Sequence, residues 1–264
     1  MKQALTYLLV FIAIQFAGGA ITQALWKMIT GSPDVTATML ITSTVVVSAL
    51  TIIVFLWARW TEISPNWLRS RPWMTIFWCA IAALGAIVPS TWLQEQMPEL
   101  PNIIENEFSM ILANRWGYLT IGLLAPLAEE IVFRGAILKA MLNWNGNNGQ
   151  QPAAGKQAFM AIISSALLFT LIHFNPAQMP HAFLAGLLLG WMYWRTGSIL
   201  PGLCFHWVNN SAAYVLYNLY PDPDLRLIDL FHGSQQHILM AIGFSLLILL
   251  PALYQLHVWM RKAE

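Results

Sequence analysis

The stretch LAEEIVFRG, Leu127 to Gly135, gathers two carboxylates and a guanidinium in a chain where only 9% of residues are charged. Glu130 and Arg134 are four apart and share a helix face, which suits an ion pair. Glu129 is rotated by about 100° from Glu130, so one helix cannot aim both carboxylates equally at one arginine. Glu129 is therefore left to face something else. Two later stretches add polar groups of a matching kind. FTLIH places Phe169 and His173 on one face, and HWVNN does the same for His206 and Asn210. A carboxylate base, imidazoles that orient water and a carboxamide that donates to an oxyanion are the ingredients of a hydrolytic site. The bland reading is a buried structural cluster, and a single buried histidine is more often a satisfied core residue. Three separate apolar stretches each carrying such a group weigh against independent accidents of packing.

The elements that must position these residues are membrane helices. Of the 264 residues 58% are hydrophobic, and the 9% charged share compares with roughly 25% in an average soluble domain. Many of the thirteen tryptophans stand at the ends of apolar runs, among them Trp57, Trp60, Trp73, Trp92, Trp116, Trp144 and Trp194, as an interfacial aromatic belt requires. A bilayer core takes about 20 apolar residues per helix. Candidate spans lie at 4–26, 36–58, 73–93, 116–142, 157–174, 181–195, 199–219 and 236–259. The fold expected is an all-α polytopic membrane helix bundle of about eight transmembrane helices, forming a single transmembrane domain over 1–264. The first run resembles a signal peptide in its Lys2 and its small residues at Ala17 to Ala20. Its apolar character continues to Trp26, which favours an uncleaved span.

Charge fixes the orientation. With the N-terminus inside, the cytoplasmic segments hold nine basic residues: Lys2, Arg59, Arg69, Arg71, Lys139, Lys156, Arg195, Arg261 and Lys262. The far side holds three, Lys27, Arg115 and Arg226, beside acidic loops with Glu95, Glu99, Glu105, Glu107, Asp222, Asp224 and Asp229. This positive-inside bias puts both termini in the cytoplasm. The polar loop at 143–157 is then cytoplasmic, and the acidic loop at 94–114 carries a short interfacial helix on the far side. A net charge of +1 gives no argument for nucleic acid. Cys79 and Cys204 lie inside apolar runs and read as buried small residues, with no disulfide between them.

Depth raises one tension. At 1.5 Å per residue Glu129 and His206 come out roughly 10–15 Å from the cytoplasmic face, whereas His173 is about 24 Å along its span. The sixth span covers only about 22 Å, so HFNPAQMP before it is expected to dip inward as a recessed turn.

Taken in order, Glu129-Glu130-x-x-x-Arg134, Phe169-x-x-x-His173 and His206-x-x-x-Asn210 resemble the three motifs of the CPBP family. These are intramembrane proteases related to the type II CAAX prenyl endopeptidase, also called the Abi or bacteriocin self-immunity family. The resemblance covers roughly 116–215, and no motif position departs from it. It implies peptide-bond hydrolysis in or beside the membrane, on a membrane-embedded or membrane-anchored peptide or protein that includes prenylated ones among the candidates. It also implies that Glu129 with His173 activates the attacking water and that His206 and Asn210 stabilise the oxyanion. Glu130, Arg134 and Phe169 fill the remaining, supporting positions. The expected location is the plasma (inner) membrane of a bacterium.

Family members are often classed as metalloproteases, and Glu129, His173 and His206 could make a zinc set with an open position for water. A directly bound zinc opposes the proton affinity that a general base needs, and Glu130 is committed to Arg134. A metal-free mechanism is therefore favoured. The chain has no HExxH helix motif, no serine nucleophile motif and no paired intramembrane aspartates. The alternatives from other classes are a transporter using the Glu/His cluster as a proton relay, or a non-catalytic immunity or scaffold protein. No internal symmetry supports the transporter. His181, His232 and His237 sit at loop or span edges and read as incidental.

Overall fold

The computed structural model describes residues 1–143, 155–222 and 225–261. Every regular element among them is helical. The first five are α1 (Lys2–Thr30), α2 (Ala37–Trp57), the short α3 (Pro65–Arg69), α4 (Trp73–Glu95) and α5 (Glu105–Leu112). A composite stretch follows: π1 (Tyr118–Leu124), α6 (Ala125–Glu130), π2 (Ile131–Leu138) and α7 (Lys139–Leu142). Then come α8 (Lys156–Leu171), a 3-10 turn (Pro176–Gln178), α9 (Met179–Thr196), α10 (Leu200–Leu219), the one-turn α11 (Leu227–Leu230) and α12 (Gln235–Trp259). A short helix does occupy the acidic loop, as α5. Most of the polar loop at 143–157 lies outside the described residues.

Helix is found at all eight places where the sequence suggests a span. Among the described residues, α1, α2, α4 and α12 are the helices long and apolar enough to cross a membrane. They mark the chain as an integral membrane protein, and their exposed side chains agree: Leu9, Ile53, Phe77 and Leu247 each leave more than a third of their surface uncovered. The other four places differ for identifiable reasons. α8 is apolar but short, and α9 and α10 are diluted by histidine, asparagine, arginine and proline. The run expected over 116–142 is not one regular α-helix, because its hydrogen-bond register changes three times.

Those changes leave the chain direction intact. The junction residues Ala125, Ile131 and Lys139 all keep right-handed helical dihedrals. In the wider turns an N–H reaches five residues back, as Ala125 does to the Thr120 carbonyl and Lys139 to that of Arg134. Extended π-turns are rare and concentrate at functional sites. Pro126 supplies no N–H, so the backbone one turn earlier loses a donor. Two hydroxyls from outside reinforce π2: buried Thr61 donates to the Ile131 carbonyl at 2.6 Å, and buried Ser165 to that of Phe133 at 3.3 Å. Gly135 is required for the first of these contacts, since a Cβ there would overlap the Thr61 side chain.

The chain forms two compact units, each from two stretches: Met1–Ile63 with Ile104–Ser165, and Ser64–Ile103 with Ala166–Glu264. The region resembling the family, 116–215, contributes to both. In the first unit α1 packs against α2 and π2. Phe11 meets Phe133 edge-on at 5.6 Å, and Phe55 meets Trp60 at 5.1 Å, a geometry that aromatic rings favour. The second unit is centred on α4, α9, α10 and α12, whose Cys79, Ala82, Leu189, Met192, Phe205, Ala252 and Leu256 form one buried cluster. Small residues on α4 let its neighbours approach closely, as membrane helix packing requires. Cys79 and Cys204 are both free. Arg195, in the last turn of α9, donates to the terminal carbonyls of α12 at His257 (2.7 Å) and Met260 (3.3 Å), a favourable place for a cation.

Candidate active site

In the first unit the carboxylate pair sits where α6 passes into π2. Glu130 and Arg134 are 0% and 1% exposed, with Oε1 and Nη1 3.0 Å apart. The ion pair expected from their spacing is present. Both charges have left water entirely, so removing one partner would leave the other buried without its counter-charge, at a cost of about 3–5 kcal/mol. Arg134 is surrounded on its own segment by the wholly buried Ile131, Val132, Phe133, Ile137 and Leu138. Glu129 is only partly buried, as its rotation away from Glu130 requires. Lys139 and Glu62 make a second pair at 3.5 Å, much more exposed, and such surface pairs contribute little.

In the second unit Phe169 organises the histidines. Its ring meets the His173 ring edge-on at 4.9 Å and the His206 ring at 6.0 Å. Phe169 is fully buried and His206 nearly so, while His173 is partly buried. The close packing of α9 on α8 explains why Phe169 has so little freedom. A Cβ at Gly186 would come within 3.1 Å of Ala166 and 3.4 Å of Phe169. His173 Nδ1 lies 2.8 Å from the Phe169 carbonyl oxygen. A carbonyl can only accept, so Nδ1 carries the hydrogen and Nε2 keeps the lone pair.

The backbone after His173 turns sharply. Phe174 has φ +50°, in the left-handed region that non-glycine residues rarely occupy. Asn175 behind it is completely buried. Its amide nitrogen donates to Asn102 Oδ1 at 2.8 Å, and its own oxygen accepts from the Ile103 N–H at 3.1 Å. Gln94 Nε2 donates to the Ala177 carbonyl at 2.9 Å, and the Ala177 N–H to the Pro101 carbonyl at 3.3 Å. The turn is thus tied at four points to the 94–103 segment, and its non-helical polar groups are satisfied by protein, as membrane proteins demand.

His206 and Asn210 follow one another on the same face of α10. Asn209, which the motifs do not include, and His181, which from sequence reads as incidental, join them. Asn209 Nδ2 lies 3.2 Å from His181 Nε2 and 3.4 Å from Asn210 Oδ1. His181 is also within electrostatic reach of His206 and His173. It stands in the first turn of α9, which from sequence is a span edge where a polar residue is unremarkable. The available signal was a second carboxamide, Asn209, inside an apolar helix. His232 and His237 take no part in this cluster.

Glu129, Glu130 and Arg134 belong to the first unit, and Phe169, His173, His206 and Asn210 to the second. Among the described residues no group of three or more His, Cys, Asp or Glu side chains is arranged to hold a metal ion.

Residues 111–212 match the family model described as type II CAAX prenyl endopeptidase, Rce1-like. The match spans all seven motif residues and agrees with the CPBP resemblance of the motifs. No curated protein and no solved structure gives a significant match.

Proposed function

From this Rce1-like region, we propose that the protein is an intramembrane endopeptidase that cleaves membrane-embedded or membrane-anchored peptides, prenylated C-termini among them. The observation that carries the reading is the hydrogen bond from His173 Nδ1 to the Phe169 carbonyl, which leaves Nε2 as a basic nitrogen. In the roles that the family resemblance implies, Glu129 and His173 take the proton of the attacking water. The oxygen adds to the scissile carbonyl, and the charge that develops there receives hydrogen bonds from His206 and Asn210. The proton then passes to the leaving nitrogen as the C–N bond breaks. General-base action contributes typically about 10²–10⁴-fold, and a single oxyanion donor about 10²–10³-fold. Glu130 and Arg134 hold the helix that carries Glu129.

The topology that goes with this reading is eight spans, with both termini in the cytoplasm of a bacterium and the chain in its plasma membrane. The segment 144–154, outside the described residues, is then cytoplasmic. Asn147→Cys should resist labelling by an impermeant maleimide added to intact cells. Efficient labelling would invert the orientation or remove an odd number of spans.

Function is tested with purified protein in nanodiscs and a quenched, farnesylated CAAX peptide, beside the same peptide without the lipid. Cleavage of the farnesylated form that Glu129→Gln abolishes is the expected result. Comparing the membrane proteomes of wild-type and Glu129→Gln cells identifies the natural substrate as the protein that accumulates uncut. A Glu129→Gln protein as active as wild type would overturn the assignment.

A further inference from the structure

We propose that His181 is a positioning residue of this site, fixing through Asn209 which end of the Asn210 carboxamide faces the reacting carbonyl. The proposal rests on the reading of Asn210 as an oxyanion donor. An amide nitrogen has two hydrogens and no lone pair to offer. Asn209 Nδ2, 3.2 Å from His181 Nε2 and 3.4 Å from Asn210 Oδ1, therefore donates to both. His181 must accept at Nε2, so it is the neutral tautomer with its hydrogen on Nδ1. Asn210 must accept at Oδ1, which turns its own N–H₂ to the opposite side of the carboxamide.

That orientation decides whether Asn210 helps or harms. The terminal torsion of asparagine is broad and roughly two-fold, so packing alone distinguishes oxygen from nitrogen poorly. Turned by half a rotation, Asn210 would present an oxygen to a developing oxyanion, and an attraction would become a repulsion. The relay removes this choice. His181 is suited to anchor it because it sits on α9, a different helix from the two asparagines on α10, and the two helices pack together.

The test combines turnover with a measurement that needs none. With the farnesylated peptide, His181→Leu should lower kcat about ten-fold with KM unchanged, a part of the about 10²–10³-fold lost on removing a donor outright. His181→Gln, whose side-chain oxygen can still accept from Asn209, should recover most of the rate. In an Asn210→Ala background, His181→Leu should cost nothing further, which a merely structural role would not reproduce. Wild-type kcat in His181→Leu while Asn210→Ala is impaired overturns this proposal alone, as does an equal loss in both backgrounds. Wild-type kcat in Asn210→Ala overturns the oxyanion reading and the proposal with it. Independently of any substrate, ¹⁵N NMR of histidine-labelled protein, with His181 assigned by its Gln variant, should show Nε2 without a proton in wild type. Asn209→Leu should shift that signal. A protonated Nε2 in wild type overturns the relay whatever the turnover.

Discussion

The helices α1, α2, α4 and α12 and the segments that carry the motifs are made of much the same amino acids, yet they are built to different specifications. The first group are long helices that turn large apolar side chains outward, such as Phe16 on α1 and Phe244 on α12. Their length answers to a bilayer. The motif-bearing segments are shorter, interrupted or chemically mixed. Tyr118–Leu142 alternates between π and α register, α8 is followed by His173 and the left-handed Phe174, and α9 and α10 carry His181, His206 and the two carboxamides. Regularity is given up where side chains must be aimed. Local strain and unusual backbone register persist only where the surrounding structure determines them, and here Thr61, Ser165 and Asn175 do so with buried hydrogen bonds.

Substitutions in the two regions should therefore differ in kind as well as in size. The largest effect is expected of Glu129→Gln, which keeps the side-chain shape and removes the carboxylate proposed as the base. Cleavage of the farnesylated peptide should fall by about 10²–10⁴-fold, while the thermal midpoint in detergent stays within a degree or two of wild type, as expected for a partly exposed side chain. Next comes Arg134→Met, which removes the counter-charge of the buried Glu130 carboxylate. It should destabilise by about 3–5 kcal/mol, read as a lower yield of folded protein and a lower unfolding midpoint. A stable, inactive Arg134→Met would mean that the ion pair serves chemistry and not support. A smaller change of opposite sign is expected at Phe174→Gly, since relieving the left-handed backbone should stabilise by about 1–2 kcal/mol. No gain in unfolding midpoint would show that the rest of the turn compensates the strain. The smallest effect belongs to the other region. Leu247→Ala on α12, where the side chain is 70% exposed, should leave kcat within two-fold. A loss comparable to that of a motif residue would erase the distinction between the regions.

The two regions also differed in how much their sequences disclosed. The long helices are visible as apolar windows, and their ends fall within a few residues of those windows. The Glu130–Arg134 pair was readable because residues four apart meet on a helix whether or not the surroundings are known. The histidines were readable as polar groups in apolar runs. The register changes in Tyr118–Leu142 were not, because outside its few charged residues the run is apolar on every side and has no periodicity to separate turns of four residues from turns of five. The His181–Asn209 contact was hidden for another reason. It joins two helices, and His181 stands at a helix start where a polar side chain needs no special account. The match at 111–212 covers the motifs but leaves the first three long helices to physical argument alone.

The bond between His173 and the Phe169 carbonyl has one more consequence. A ring that gives Nδ1 to the backbone cannot turn over without breaking a 2.8 Å contact, so its two nitrogens cannot trade places. Such an imidazole is a dead end for proton traffic: what enters at Nε2 has to leave by Nε2. It cannot pass a proton through the ring toward bulk water, as a two-ended shuttle would. In the proposed mechanism, a proton taken from the attacking water would thereby stay beside the bond being cut, available to the departing amine, and would not be lost along the helix to the membrane surface.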